Sequence, residues 1–598
     1  MKKVGKIILP IIIFLFCFIS ISDYQLCIVN NSFMFLIITY YVFFYFKKYT
    51  KNVQNIIFSI FATLCFLLGR EYMHCNAFIQ NLNIQNIILL FLQGLIIFFI
   101  VLSFINILQN KDAKIYTSEN IFQKLLNKNQ HLKLFIIILI CWIPYILISY
   151  ASYFSWDAAI QLSQYLHIFT NVTKEVTTVT NPQYITTHHS VLYTYLLGWF
   201  SKIVDVNIGI YIFNILEILF IIYSIVSVLF FVNKYLTCNK ILSWICIFIC
   251  IYPSVPRMFS FIMKDNMFFA TTLCCCIELY KMLKNENCNM IKFILFMILS
   301  ILLRNNMVYV FVVYFLILLF CMKENRKRCT IILSFILITI VGSNAIYHYL
   351  GITKGSRAEM LSVPFQQTAR VVKEYNQELT NEEKETINRV LNYDKLEEVY
   401  EPTISDPVKA TFNERKPTNK ELIDFLKIWI KLFEKHPLTC LEATINNQIG
   451  NLYPFYTADM HYMNYARDKI IVEDNQIKYN INWCFDLRKI GYVYQSNLAE
   501  IAFLFDKTFN YFCLIPIVGS FTIGTVYIWI YLYAFLIAIK KKNKSDIFFL
   551  IFFLFYLGTV FLGPCGAERH FRYIYPIYGC TPIFYLIFSK YRKTKGYL

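Results

Sequence analysis

The amino-acid sequence predicts an all-α polytopic membrane protein. Hydrophobic residues make up 58% of the 598 residues and charged residues only 16%, against roughly 25% charged residues in a typical soluble protein. Apolar runs that approach the length of a membrane-crossing helix recur along the chain. Because backbone polar groups in lipid must be hydrogen-bonded within their own segment, each such run predicts a helix. The composition argues against a soluble enzyme, a disordered chain and a nucleic-acid-binding protein.

About fourteen candidate spans follow from the hydropathy of the sequence. Several are short, so their ends are less sharply defined than their centres. The first run follows Lys2 and Lys3 and is predicted to be a retained span, since no signal-peptidase-type site precedes Asp23. The runs lie at residues 7–22, 33–46, 55–69, 86–108, 134–153, 208–232, 241–255, 264–283, 291–303, 306–322, 329–348, 511–538, 546–562 and 571–589.

One further apolar run, at 191–200, decides the predicted topology. As a helix it would measure roughly 15 Å, about half of a hydrocarbon core. If it does not cross, the remaining Lys- and Arg-rich loops all fall on the cytoplasmic side, as the positive-inside rule requires. We therefore expect 188–203 to be a juxtamembrane helix at the outer leaflet of the plasma membrane, with both chain termini in the cytoplasm. The net charge of +19 is then mainly a topology signal.

The predicted spans divide the chain into four parts. One of these parts, the insert at residues 349–510, is expected to be helical, because Thr380 with Glu383 and Thr418 with Glu421 have the spacing of capping boxes. The parts are an N-terminal four-span extension with a cytoplasmic loop (1–130), a transmembrane core with a first outer loop at 154–207 (131–348), an extracytoplasmic helical insert (349–510) and a C-terminal three-span segment (511–598).

Ionisable and polar residues gather at the predicted outer boundary, although basic residues are otherwise kept inside. Taken singly, each has a structural explanation: a helix cap for Asp157, a local ion pair for Lys264 with Asp265, lipid-headgroup contacts for the arginines. Taken together they indicate a site, because ionisable groups at membrane depth are costly. The candidates are Asp157, His188, His189, Lys264, Asp265, Arg304, Glu568, Arg569, His570, Arg572 and Tyr573.

These residue types suit a lipid-linked phosphate. Arginine binds phosphate through two parallel hydrogen bonds, and a low local dielectric strengthens the pairing. Asp157 lies in the loop nearest to an aqueous acceptor and could take a proton from an attacking hydroxyl. The basic cluster would stabilise the charge that grows on the departing phosphate. The sequence therefore predicts glycosyl transfer from a polyprenyl-phosphate sugar.

The layout resembles the GT-C superfamily of integral-membrane glycosyltransferases over about residues 134 to 589. The matching features are Asp157 in the first outer loop, His188-His189 before the juxtamembrane helix, Lys264-Asp265 as a second outer motif, and the 568–573 segment before Pro576. The segment 405–409 also resembles an uncharacterised bacterial branch, distantly like protein mannosyltransferases and aminoarabinose transferases. The resemblance implies a GT-C-like helix bundle.

The chain departs from the GT-C pattern at the acidic residues. Asp157 has no adjacent carboxylate, and Asp265 follows Lys264 instead of standing in a D-x-D motif. Paired carboxylates that hold a divalent metal are therefore not expected. No cofactor is assigned, and a divalent metal bound by His188 and His189 is the alternative.

The function predicted from the sequence is inverting glycosyl transfer from a polyprenyl-phosphate donor to an envelope polymer, glycolipid or protein at the bacterial cell envelope. Asp157 is the predicted base. Donor-phosphate binding is assigned to Lys264, Arg304, Arg569 and Arg572, and substrate orientation to His188, His189, Asp265, Glu568, His570 and Tyr573. No nucleic-acid partner is expected. The alternatives are a flippase or transporter of lipid-linked glycans, a polysaccharide polymerase or ligase, and a non-catalytic assembly protein.

Overall fold

The computed structural model describes most of the chain between residues 52 and 593. The described residues are 52–76, 119–150, 152–168, 185–415, 417–454, 470–473, 476–479, 519–563 and 570–593, with isolated positions between 94 and 105 and at 501. Within them the structure is almost entirely helical, as the all-α prediction requires.

Twelve helices of the described residues precede the insert, and they include three of the four long apolar segments. They are α1 (Val53–Cys75), α2 (Ile121–Asn127), α3 (His131–Ile148), α4 (Trp156–Tyr165), α5 (Val191–Phe200), α6 (Val206–Lys234), α7 (Lys240–Ile251), α8 (Ser254–Phe259), α9 (Lys264–Leu283), α10 (Met290–Leu303), α11 (Met307–Cys321) and α12 (Arg326–Tyr349).

Four helical segments of the described chain are long and apolar enough to cross a membrane. Several shorter apolar helices accompany them, including α5, α7, α10 and α11. The four segments are His131–Ile148, Val206–Lys234, Lys323–Tyr349 and Lys544–Phe561.

Helix α9 is the centre of the bundle. Nearly all of its side chains are buried, including the run Cys274, Cys275 and Cys276, and it packs most extensively against α6 and α10. Its thiols are free and act as small apolar side chains that allow neighbouring helices to approach. Because α9 is enclosed on all sides, residues at its first turn are held in a fixed position relative to several other helices.

The short helix α5 is a separate element over the ten residues that the sequence singled out. Ser190 caps it by accepting a hydrogen bond from the Tyr193 backbone N–H. Gly198 lets α4 pack closely, because a Cβ at this position would lie 2.1 Å from the Tyr165 ring. Helices α4 and α5 therefore form one closely packed pair beside the bundle.

The insert has its own apolar core, which includes Phe365, Phe412 and Phe425. Both predicted capping boxes are confirmed. The Thr380 and Thr418 hydroxyls each accept from the backbone N–H of the N3 glutamate, and the backbone N–H of each threonine donates to that glutamate's carboxylate. The helices are α13 (Ser362–Tyr375), α14 (Asn381–Val390), α15 (Tyr393–Val399), α16 (Asp406–Arg415), α17 (Asn419–Lys435), α18 (Pro437–Asn447) and α19 (Ile449–Leu452).

The C-terminal part corrects one prediction. A single helix over 571–589 is wrong, because Pro576 and Pro582 each lie at the start of a new helix. Proline lacks a backbone N–H and does not continue the preceding helical turns. The helices here are α20 (Gly524–Lys540), α21 (Lys544–Phe561), α22 (His570–Tyr573), α23 (Tyr575–Gly579) and α24 (Thr581–Phe588).

Candidate functional site

A two-residue parallel strand pair aligns the starts of α4 and α9. Strand β1 (Tyr153–Phe154) lies beside β2 (Phe261–Ile262), with Tyr153 opposite Phe261. The Ser155 backbone N–H also donates to the Ile262 carbonyl at 3.2 Å. Since each helix begins within two residues of its strand, this register brings together two segments that are more than 100 residues apart. A second strand pair within the described residues, β3 (Ile470–Glu473) with β4 (Gln476–Tyr479), is antiparallel.

Both helices place a carboxylate in their first turn. Ser155 is the N-cap of α4 and accepts from the Ala158 backbone N–H, so the explanation of Asp157 as the cap is wrong. Asp157 and Asp265 lie instead in the first turns of α4 and α9. The exposed backbone N–H groups at a helix start favour negative charge there.

Asp157 binds two cations that come from distant parts of the chain. Its Oδ2 atom accepts from Lys264 Nζ at 2.8 Å and from Arg572 Nη1 at 3.1 Å. The exposed fractions of the side chains are 15% for Asp157, 16% for Lys264 and 6% for Arg572. The structure thus brings together the predicted base and two of the predicted phosphate-binding residues.

Asp265 extends this network to Arg304. Its Oδ1 atom lies 3.2 Å from Arg304 Nη1, and its Oδ2 atom lies 3.6 Å from Arg572 Nη1. The adjacent residues Lys264 and Asp265 thus have different ion-pair partners, Asp157 and Arg304. The proposed local pair between them is replaced by contacts across helices. We call Asp157, Lys264, Asp265, Arg304 and Arg572 the charged cluster.

Tyr573 contacts both arginines of the charged cluster. The guanidinium carbon of Arg304 lies 4.6 Å from the centre of its ring and that of Arg572 lies 4.8 Å from it. Arg572 Nη2 also donates to the Tyr573 hydroxyl at 3.0 Å. An aromatic face attracts a guanidinium, so Tyr573 holds two like charges side by side.

Tyr556 was missed by the sequence reasoning. It lies within the apolar helix α21, yet its hydroxyl accepts from Arg304 Nη1 at 3.5 Å and donates to the Tyr573 carbonyl. Sequence alone gave no signal for it, because it is one of 44 tyrosines in a chain rich in aromatic residues.

His189 contacts the charged cluster through Lys264. Its Nδ1 atom lies 3.2 Å from Lys264 Nζ. Burial, followed by the charge of Lys264, lowers the pKa of His189 well below its ordinary value, so the imidazole is neutral. An ammonium group can only donate, so Nδ1 accepts and the ring proton lies on Nε2. His188 packs edge-to-face on His189, with ring centres 4.5 Å apart.

The electrostatics of the charged cluster keep Asp157 ionised. Burial opposes ionisation, but the charges of Lys264 and Arg572 outweigh it and hold the pKa of Asp157 well below its ordinary value. In this arrangement Asp157 is an anion with two strong partners and a weak base.

Some predicted site residues cannot be placed in this geometry. Glu568 and Arg569 lie outside the described residues, and only the backbone of His570 is described, at the start of α22. Among the described residues, no three His, Cys, Asp or Glu side chains are grouped so that they could hold a metal ion.

A second polar group, also missed, lies near the charged cluster. Glu217 is buried within the 29-residue helix α6, and Asn214 Nδ2 contacts its Oε2 atom at 3.5 Å. Asn214 and Asn266 also donate to the Phe259 carbonyl, both at 3.4 Å. A single carboxylate in a long apolar helix is a signal that sequence reasoning could have used. These amides hold the turn that leads into β2 and α9.

Comparison with known families gives one match. The family of unknown function DUF6020 matches residues 2–597. The chain belongs to this family. The charged cluster therefore lies entirely within the DUF6020 region. No curated protein and no solved structure matches the chain.

Proposed function

We propose that this DUF6020 protein is a polytopic membrane glycosyltransferase of GT-C type that takes its sugar from a polyprenyl phosphate. One observation carries the proposal: Asp157, Lys264 and Arg572, from three separate parts of the chain, meet at one carboxylate oxygen. Ion pairs with little exposure are costly to build for stability alone, since desolvation offsets much of their attraction.

The position of the charged cluster along the helices suits a lipid headgroup. Tyr556, which contacts Arg304, lies five residues before the end of α21 at Phe561, about 7.5 Å along a helix axis. Under the proposed topology this end faces outward, and the cluster lies just below the headgroup layer of the outer leaflet. A polyprenyl chain could then stay in the lipid while its phosphate reaches Lys264 and Arg572.

The proposed reaction is a single displacement at the anomeric carbon. The acceptor hydroxyl gives its proton to the Asp157 carboxylate while its oxygen forms a bond to the sugar carbon. The bond from that carbon to the phosphate oxygen breaks, and its electron pair stays on the phosphate. Lys264 and Arg572 stabilise the resulting charge, because preorganised cations act most strongly where charge develops. The products are an inverted glycoside and polyprenyl phosphate.

The direct test uses purified wild-type and Asp157→Asn protein with polyprenyl-phosphate sugars and an envelope extract as the acceptor source. Release of polyprenyl phosphate is measured, because every acceptor gives this product. We expect the variant to lose transfer by about a hundredfold or more, since general-base catalysis typically contributes that much, while it remains folded.

The matched control is Asp205→Asn. Asp205 is exposed and caps α6, and asparagine caps equally well, so this variant should retain full transfer. Full activity of Asp157→Asn would remove Asp157 from the mechanism. Glycan movement across vesicles without release of polyprenyl phosphate would favour the flippase alternative, and long products would favour a polymerase.

A further inference from the structure

The resting partners of Asp157 are the groups that the donor phosphate needs. Lys264 Nζ and Arg572 Nη1 both bind its Oδ2 atom, at 2.8 Å and 3.1 Å. Charge-assisted hydrogen bonds of this length are among the stronger ones in proteins. An arriving phosphate must therefore compete with this carboxylate for the same two cations.

Arg572 has an alternative partner within reach. Asp265 Oδ2 lies 3.6 Å from Arg572 Nη1, while Asp265 Oδ1 is bound to Arg304 at 3.2 Å. Asp265 thus keeps Arg304 and Arg572 near each other whether or not Asp157 is bound. The three cations and two carboxylates of the charged cluster leave one positive charge, which matches the single negative charge of a phosphodiester.

His189 has one ring nitrogen beside the charged cluster and the other directed away from it. Its Nδ1 atom faces Lys264, and its Nε2 atom is buried with no hydrogen-bond partner among the described residues. The side chain is only 6% exposed, and a buried N–H without an acceptor is unfavourable. Because the two ring nitrogens of an imidazole point away from each other, this N–H is directed away from Lys264 and is not assigned a role in phosphate binding.

We propose that Asp157 occupies the donor-phosphate position at rest and that the arriving lipid-linked phosphate displaces it from Lys264 and Arg572. The displaced carboxylate is then free to accept the proton of the acceptor hydroxyl. This inference rests on the proposed function and adds its regulation: the base becomes active only when a donor is bound.

Displacement changes the basicity of Asp157 in the required direction. While two cations hold the carboxylate, its proton affinity is low. When the phosphate neutralises those cations, burial remains and favours the protonated form. The same side chain is therefore a weak base without donor and a stronger one with donor.

The test measures equilibrium binding of polyprenyl phosphate, the sugar-free product, to protein in lipid nanodiscs. Asp157→Asn removes the competing charge but keeps the shape of the side chain. We expect this variant to bind polyprenyl phosphate about tenfold more tightly than the wild type, since one charged competitor is lost. Asp157→Ser is a second neutral variant with the same expected result, should the asparagine variant fail to fold.

The outcomes separate the two proposals. Asp157→Glu keeps a competing carboxylate and should bind polyprenyl phosphate with an affinity near that of the wild type, as should the surface control Asp205→Asn. Equal or weaker binding by folded Asp157→Asn and Asp157→Ser would overturn the displacement while leaving the proposed function in place. Absence of polyprenyl phosphate binding by the wild type and all variants would overturn the proposed function itself.

Discussion

At the scale of single residues, the two arginines of the charged cluster have different surroundings. Arg572 bonds to Asp157 and the Tyr573 hydroxyl, whereas Arg304 bonds to Asp265 and Tyr556. Both guanidinium groups lie over the Tyr573 ring. Arg572 thus reaches the proposed reacting groups directly, and Arg304 supports the carboxylate that keeps Arg572 in place.

Replacing Arg572 by lysine should impair sugar transfer, although both side chains are positively charged. Lysine keeps the charge but loses the planar group that binds two oxygens and stacks on Tyr573. We expect Arg572→Lys to lower kcat/KM for sugar transfer by about tenfold or more, measured as polyprenyl phosphate release at several donor concentrations.

The matched variant is Arg389→Lys, on the exposed face of α14 in the insert. It should leave kcat/KM unchanged. If Arg572→Lys transferred sugar as fast as Arg389→Lys, a bidentate role for the Arg572 guanidinium would be wrong.

At the scale of elements, the insert reaches the site through the segment that follows α12. Thr353 pairs with Thr186, and the Gly355 backbone N–H donates to Thr187 Oγ1 at 3.1 Å. A Cβ on Gly355 would lie 2.7 Å from His188 Cα. The start of the insert thus contacts the backbone that positions His188 and His189.

Gly355→Ala should therefore lower sugar transfer, although the added methyl group lies outside the helix bundle. The added methyl group must displace the His188 backbone, and with it the contact between His189 and Lys264. We expect transfer to fall by about tenfold, an effect typical of a displacement of less than 1 Å in a site that depends on positioning. The measurement is kcat/KM together with the thermal unfolding temperature.

Gly342→Ala is the matched control, because a Cβ there meets no atom within 4 Å. It lies inside α12, so alanine should leave transfer unchanged and stabilise the helix slightly. Equal transfer by both variants would mean that contact with the insert does not position His188 and His189.

Helix positions could be predicted from the sequence, whereas their pairing could not. Apolar runs marked α3, α6 and α12 to within a few residues, and the local spacing of Thr380 with Glu383 predicted a cap that is present. The apolar run at 571–589 predicted one helix through Pro576, although proline lacks the backbone N–H that continues a helix and so gives a reason for the break.

For the charged cluster, sequence reasoning selected the five residues that lie together but not their partners. Lys264 and Asp265 are neighbours, so a local pair was the simplest explanation, yet the β1–β2 register directs Lys264 to Asp157. Tyr556 was missed because it is one of 44 tyrosines in an aromatic-rich chain. Glu217, the single carboxylate of a long apolar helix, was a usable signal that was overlooked. Long-range contacts are set by packing of the whole bundle, which a single sequence does not display.

At the scale of the whole molecule, α9 connects two polar clusters at opposite ends of the bundle. Lys264 lies at one end, and Tyr280 at the other donates to Asp546 at 2.9 Å. Asp546 is fully buried and binds Arg592 at 2.5 Å and Lys284 at 3.0 Å. Tyr280 lies sixteen positions after Lys264 in α9, about 24 Å along the axis, which is most of the thickness of a hydrocarbon core. The proposed topology places this second cluster at the cytoplasmic face, where it ties the C-terminal segment to the bundle.

Photocrosslinking tests most directly whether the charged cluster holds a lipid-linked phosphate. Polyprenyl phosphate with a diazirine beside its phosphate is irradiated with the protein in nanodiscs, and the adducts are mapped by mass spectrometry. We predict adducts on peptides from 153–165, 259–268 and 570–578. These adducts should be lost in the double variant that combines Lys264→Gln with Arg572→Gln. Two results would contradict a phosphate site at the charged cluster. The adducts could be confined to the lysine-lined groove of α2 and α3, around Lys124, Lys128 and Lys133, or they could be unaffected by the two substitutions.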